Sequence, residues 1–346
     1  MKSLAVDKNG KLSIVEIPIP KYGEHQALVK MESCGVCNGT DMKLIHGNFK
    51  GYGDYPAILG HEGVGRVVEL GSKVRSFKKG DCVLLPFLEG MTEGYHSAWG
   101  AYSEYAVVGD ARAMAEDGKG PGTPGFSEAY YAQQVVPESI SPVSAAMIVT
   151  FREVLSAARR FGFKENSSLV VFGAGPVGLC FTRFASILGM GPITVFDIVD
   201  AKLKEATAMG ADHVFNSNSV NIKEEIGRIY GDGVDFVLDA VGINQLINQA
   251  MELVKYNGKI CCYGISPKLD MQLDWSKAPY NWTLQFIQWP LKLEEAEAHR
   301  QVINWIEAGI INPDDFISDV VKFENIIDAF KMVEERKALK KIVIKF

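Results

Sequence analysis

Several things are scarce or missing in this chain, and each absence removes a class of function. Six cysteines in 346 residues (Cys34, Cys37, Cys82, Cys180, Cys261 and Cys262) are too few for a disulfide scaffold of this size. They point to free thiols or thiolate ligands in a reducing compartment. There is no basic tract: 36 Lys plus Arg stand against 42 Asp plus Glu, a net charge of -6, so a phosphate backbone has nothing to hold and nucleic acid is excluded as a partner. No window approaches the roughly 18 apolar residues of a membrane span. The opening MKSLAVDKNGKLSIVEIPIP carries charges every few positions, where a signal peptide is continuous and apolar. The expectation is a cytoplasmic protein with no membrane partner.

What is present falls into two parts, as a length too great for one ordinary core suggests. The first 110 residues hold short apolar runs (SLAV, QALVKM, GVGRVVEL, DCVLLP, AYSEYAVV) between turn signals such as Lys8-Asn9-Gly10 and Lys79-Gly80-Asp81, the pattern of a β-rich barrel or sandwich. From about Ser144 an apolar-periodic segment predicts a helix, and SLVVFGAG follows as a buried strand. The chain then alternates: helix Pro176 to Leu188, strand PITVFD, helix AKLKEATAMG, strand DHVF, helix Ile222 to Ile229, strand VDFVLDAVG, helix Gln245 to Val254, strand GKICCYG. Such alternation is the sequence form of a doubly wound parallel sheet in an α/β protein. Helices over Glu294 to Glu307 and around Glu324 to Glu335 precede a last strand, KKIVIKF, which lies outside the alternation and is expected to return to the first domain. Between the two parts, Asp110 to Pro142 contains eight Gly or Pro residues and reads as a long loop, functional or mobile.

VVFGAGPVGLC places Gly173, Gly175 and Gly178 as G-x-G-x-x-G directly after a strand, with Pro176 and Val177 opening the helix. The first glycine permits the tight turn, the second admits a pyrophosphate, and the third allows close helix–strand packing at a helix N-terminus that offers free N–H groups. Asp197, 19 residues after Gly178, is the second-strand acid that accepts ribose hydroxyls. With no Arg or Lys directly after it to neutralise a 2′-phosphate, NAD is expected over NADP. Lys202 and Val241 complete the expected cofactor-binding set.

The Cys37 thiolate and the His61 imidazole are ligand types that zinc prefers, and Glu62 can be a third ligand or an outer partner. There is one C-x-x-C and no second cysteine pair, so a structural zinc on four cysteines is excluded. SCGVC, GTD, LGHEGVGRVVELGSKVRSFKKGDCV, GAYSEYAVV, VVFGAGPVGL and GADHVFN, in this order and spacing, resemble the zinc-dependent medium-chain alcohol and polyol dehydrogenases over nearly the whole chain. The resemblance implies a GroES-like catalytic domain from both chain ends (residues 1–153 and 291–346) around a Rossmann NAD-binding domain (154–290). Through the sorbitol, threonine and galactitol-phosphate branch it implies oxidation of a secondary alcohol or polyol, one catalytic zinc on Cys37 and His61 with Glu62 as ligand or close neighbour, and a homodimer or homotetramer. Thr40 is then the hydroxyl that relays the proton released from the alcohol.

Three departures from that family stand out. Asn38 and Gly39 separate Cys37 from Thr40, one residue more than the family has, so Thr40 faces the alcohol only if the turn bulges. The helix position that commonly supplies a further ligand is Val149, and Glu153, one turn later on the same face, is expected to supply the missing carboxylate or to hold the zinc-bound water. The cysteine-rich lobe is absent, and PFLEGMTEGYHSAWGAYSEY, with His96, stands in its place. Lys43 occupies the place of a relay histidine, for which His46 is a substitute.

Two rival readings keep the fold: a zinc-free NADPH quinone or enone reductase, and a non-catalytic nucleotide-binding protein. Cys37, His61 and Asp197 weigh against the first. A redox dithiol of Cys34 and Cys37 is disfavoured because the pair lies outside any thioredoxin-like unit, which leaves Cys34 a packed thiol. Substrate choice is expected from NFKGYGDYP, the Glu89 to Trp99 loop and APYNWTLQFIQWP. With no phosphate-binding cluster, an unphosphorylated polyol or hydroxyketone is expected.

Overall fold

The computed structural model describes residues 1–346. Contacts divide the chain into Met1–Arg152 with Leu291–Phe346, and Glu153–Pro290.

The first unit is organised by the strand Gln26–Gly35, whose sequence QALVKMESCG buries seven of its ten residues. It pairs antiparallel with Glu62–Leu70, with Tyr105–Gly109 and with the last strand, Lys341–Lys345. Two register irregularities against Glu62–Leu70, between Leu28 and Val29 and between Met31 and Ser33, are of the kind that bend a strand. A second sheet runs Leu12–Glu16, Lys2–Val6, Ala57–Ile58, Tyr95–Ser97, Met91–Thr92. Leu4, Val29, Met31, Leu44, Tyr102, Phe330 and Ile344 share one core, so side chains from both ends of the chain fill the same interior. The closing strand therefore does return to the first part.

Asp110 to Pro142 is less of a loop than its glycines and prolines suggest. Ala111–Glu116 is a helix with Asp110 as N-cap, its side chain accepting from Ala113 N–H, and Ala129–Ala132 and Val135–Val136 add a helical turn and a short strand. The alanine-rich ARAMAE after an Asp is a helix start that the breakers further along obscured.

The second unit is one parallel sheet in the spatial order His213–Asn216, Ile193–Asp197, Leu169–Phe172, Val234–Asp239, Val254–Cys262, Thr283–Phe286. In chain order that is third, second, first, fourth, fifth, sixth, the dinucleotide-binding arrangement. Leu169–Phe172 is wholly buried, as a strand covered on both faces must be. The expected strand VDFVLDAVG stops earlier, at Asp239, and the strand Thr283–Phe286 was not expected; the largest displaced boundary is at Val254. The preceding helix is Asn244–Met251 and the strand already starts at Val254, with Asn257 at φ 63° and a register irregularity beside it. The residues Asn257-Gly258, which read as a turn before the strand, form a kink within it.

Candidate metal centre and nucleotide-binding turn

Three strand ends of the first unit build the centre. Cys37 lies two residues beyond Gln26–Gly35, Glu62 begins the neighbouring strand with His61 just before it, and Lys341 begins the last strand. Glu62 is paired with Gly35. Val343 is also paired with Gly35, and the Val36 N–H bond to Ile342 O carries that register on toward Lys341 and Cys37. The ligand atoms of Cys37, His61 and Glu62 lie within 4.8 Å of one another.

The residue inserted after Cys37 is taken up in a turn at Asn38-Gly39 leading into the helix Thr40–Ile45. Asp41 closes that turn from both sides: its N–H donates to Cys37 O at 2.9 Å, and its Oδ2 accepts Cys37 N–H at 3.0 Å. Asp41 is fully buried, its Oδ2 also accepts the Tyr102 hydroxyl at 2.7 Å, and its Oδ1 lies 3.3 Å from His61 Nδ1. A carboxylate behind one ring nitrogen fixes the orientation of the imidazole and leaves the other nitrogen as the ligand atom. Burial by itself would push the imidazole's pKa down, but Asp41 and Cys37 outweigh it and raise it well above the ordinary value. A thiolate, an imidazole backed by a carboxylate, and a second carboxylate form a donor set that fits zinc, and the negative charge around His61 is the field that attracts a cation.

Lys341 is the participant that sequence reasoning missed. Its Nζ donates to both Glu62 oxygens, at 2.8 and 2.7 Å, with each side chain only 2% exposed. A Cβ on Gly35 would sit 2.2 Å from Glu62 Oε2, so only glycine leaves room for this carboxylate. Thr150, on the helix Pro142–Phe161, adds a contact at 3.4 Å from Glu62 Oε1. Asp41 had a signal in the GTD run; Lys341 had none, because a lysine on a terminal strand reads as solvated.

Of the other expected residues, Thr40 is buried at the start of its helix, three positions after Cys37. Val149 is buried, and Glu153 on the same helix is not among the clustered ligands. Lys43 folds back onto Gly39 O at 3.0 Å, with burial lowering its pKa and Cys37 opposing that. His46 is exposed, 3.4 Å from Glu334, and His96 lies on Tyr95–Ser97. Cys34 is buried, and burial, with Asp41 and Glu62 adding to it, raises its pKa well above the ordinary thiol value, so it stays a packed thiol.

In the second unit the glycines have three separate reasons. Gly173 has φ 96°, and a Cβ there would also strike Val241 at 2.6 Å; a Cβ on Gly178 would lie 1.8 Å from Gly173 O; one on Gly175 would meet nothing. The first two are demanded by the fold, and the third leaves open the face in front of the helix Pro176–Ile187, whose N-terminus can hold an anionic group. Asp197, ending its strand, accepts Ala174 N–H at 2.7 Å and Val199 N–H at 2.9 Å, which ties the acid to the glycine turn and leaves lone pairs for a ribose. Lys202 is half-buried on Asp200–Ala208. Asp239, not expected, accepts Val241 and Gly242 N–H at 2.8 and 2.9 Å and so shapes the neighbouring strand end where Val241 stands exposed.

Residues 23–116 match the family model of the alcohol dehydrogenase GroES-like domain, and 176–285 that of zinc-binding dehydrogenases. A probable cinnamyl alcohol dehydrogenase from Populus deltoides is 30% identical over 270 residues, 75% of this chain and 73% of its own. The chain belongs to the zinc-dependent medium-chain alcohol and polyol dehydrogenases. The sorbitol dehydrogenase of Bacillus subtilis (strain 168) is 27% identical over 338 residues, covering 96% of this dehydrogenase and 93% of the relative. The fold of the dehydrogenase also matches the alcohol dehydrogenase of Thermus sp. ATN1 at a TM-score of 0.83 with 21% identity, over all of both chains. The dehydrogenase is thus an oxidoreductase that uses zinc and NAD to act on an alcohol, a small-molecule substrate. None of its helices is long and apolar enough to cross a membrane.

Proposed function

We propose that the dehydrogenase oxidises an unphosphorylated secondary alcohol of the polyol or hydroxyketone class at the Cys37–His61–Glu62 centre, with NAD on the Gly173–Gly178 turn. The observation that carries this reading is the convergence of those three ligand types in one cluster, His61 and Glu62 buried and Cys37 half-buried, with Asp41 behind His61. Zinc bound there supplies a Lewis acid that lowers the pKa of the substrate hydroxyl, and NAD supplies the hydride acceptor. Asp41 orients His61, Lys341 offsets the charge of Glu62, and Thr40, buried beside the turn that holds Cys37, is the hydroxyl through which the substrate proton leaves. A further oxygen donor from Glu153 belongs to the proposal, supported by its place three residues after Thr150 and so on the same helix side.

Asp197, followed by Ile198 and Val199, favours NAD over its 2′-phosphate. A homodimer or homotetramer is supported by the outer strand Thr283–Phe286 of the parallel sheet with Phe286, Tyr280 and Trp275 exposed nearby, an edge that a second copy would cover. A cytoplasmic location is supported by the free cysteines.

Elemental analysis of protein purified without chelator tests the centre. About one zinc per chain is expected, reduced to background in Cys37→Ser and His61→Ala. Zinc retained in Glu153→Ala would remove Glu153 from the ligand set. A protein without zinc that still reduces an enone with NADPH would replace this reading by the metal-free one.

A further inference from the structure

A cavity of about 420 Å³ lies within the first unit, walled by Trp99, Tyr52, Ser97, Tyr130 and Gln133 among others, with Glu89 at its rim. Trp99 joins it to the metal centre: its ring is 5.4 Å from that of His61 and stands edge-on to Phe49 at 5.9 Å. The placement of that ring is enforced by the backbone. Trp99 has φ 65°, a region a bulky residue enters only when its surroundings hold it there. Leu88 N–H donates to Trp99 O at 2.8 Å, and a Cβ on the next residue, Gly100, would run into Leu88 at 2.7 Å.

The chemistry of the wall is one-sided. No Lys, Arg or His lines the cavity, and Glu89 is its one charged residue. Three of the donors that face it are already used. Gln133 gives its N–H to Leu85 O, Ser97 its hydroxyl to Leu88 O, and Tyr130 its hydroxyl to Glu89 Oε1. Glu89 Oε2 accepts Gln26 Nε2 at 3.0 Å. Each carboxylate oxygen keeps a second acceptor site, and the buried hydroxyl of Tyr52 has no protein partner. The cavity therefore offers aromatic faces, acceptors, the hydroxyls of Tyr52 and Ser127, which can donate or accept, and one negative charge with no positive one. A phosphate or carboxylate would meet repulsion there, and a neutral hydroxyl would gain only a hydrogen bond. An alkylammonium brings its own donors, pairs with the charge and interacts with the rings.

We propose that this cavity takes the ammonium end of an amino-alcohol substrate, with Glu89 as counter-ion and Trp99 and Tyr52 as the aromatic wall, while the carbinol reacts beside His61. The assignment rests on the alcohol-oxidising reading above and narrows it, making Glu89 a specificity-determining residue. Three alcohols sharing a 2-hydroxyalkyl chain and ending in an amine, a hydroxyl or a carboxylate test it, in zinc-loaded full-length enzyme with NAD. The amine is expected to exceed the diol in kcat/KM by about tenfold, and the acid to be the poorest of the three. Glu89→Gln should reduce the amine-to-diol ratio about tenfold, mainly through the KM of the amine. An unchanged ratio, or a wild type that prefers the diol, would overturn the proposal. Calorimetric titration of the amine without NAD separates the two levels. Binding that depends on Glu89, with no NADH formed from any alcohol, would uphold the cavity and overturn the dehydrogenase centre; NADH formed from the diol with no binding of the amine would overturn the cavity alone.

Discussion

Glu62 and Lys341 are both nearly inaccessible to solvent, and the ammonium meets both oxygens of the carboxylate. Removing one partner of such a pair strands the remaining charge at a cost of about 3–5 kcal/mol. Lys341→Met is expected to destabilise chelator-treated protein by that order and zinc-loaded protein by less, since a cation beside Glu62 takes over part of the lost role. Urea midpoints of the two preparations measure this, and equal losses would mean that Glu62 does not sense the metal. Asp41→Asn keeps the shape of its side chain but weakens the hold on His61, so zinc affinity in a chelator competition should fall about 10–100-fold. Cys37, His61 and Glu62 were legible in the sequence because ligand type and local spacing name them. Asp41 had only the GTD run to mark it, and Lys341 had nothing, since neither a carboxylate nor a lysine carries a sign of which side chain it will face.

Strand and helix ends position everything with chemical character, and their glycines separate packing from binding. In Gly178→Ala the added methyl meets the Gly173 carbonyl, so the thermal midpoint should drop and NADH binding with it. Gly175→Ala points its methyl into open space and should melt like the wild type, yet lose at least about tenfold in NADH affinity, read by fluorescence titration. Equal behaviour of the two variants would contradict the assignment of the open face to the pyrophosphate. Gly35→Ala makes the same distinction at the metal centre, where the displaced group is the Glu62 carboxylate. The strand–helix alternation was readable because each element carries its own period. The early start of Val254–Cys262 was not, because a kinked strand presents its turn residues where a loop would.

Folded stability should also record pH through His299, on the helix Lys292–Glu307, whose Nε2 donates to Val135 O at 3.0 Å. Burial, with nearby Arg152 adding to it, lowers its pKa from the ordinary 6.5 to about 4. Between those values the unfolded chain binds a proton that the folded one refuses, so this contribution is complete above about pH 6.5 and is lost as pH falls toward about 4. His299→Gln keeps an N–H for Val135 and cannot protonate; its loss of unfolding free energy between pH 7 and 5 should be smaller than the wild type's by about 2 kcal/mol in denaturant titrations. The division into a β-rich part and an alternating part, the glycine turn and the metal-ligand types are written in short-range order, in periods and spacings that need no knowledge of the fold. The pairing of Lys341 with Glu62, 279 residues away, the carboxylate behind His61, the room left by Gly35 and the aromatic cavity beside Trp99 exist only once sheet register has brought distant strands together. Register is fixed by burial over whole strands, and for that reason no local stretch of the chain could announce them.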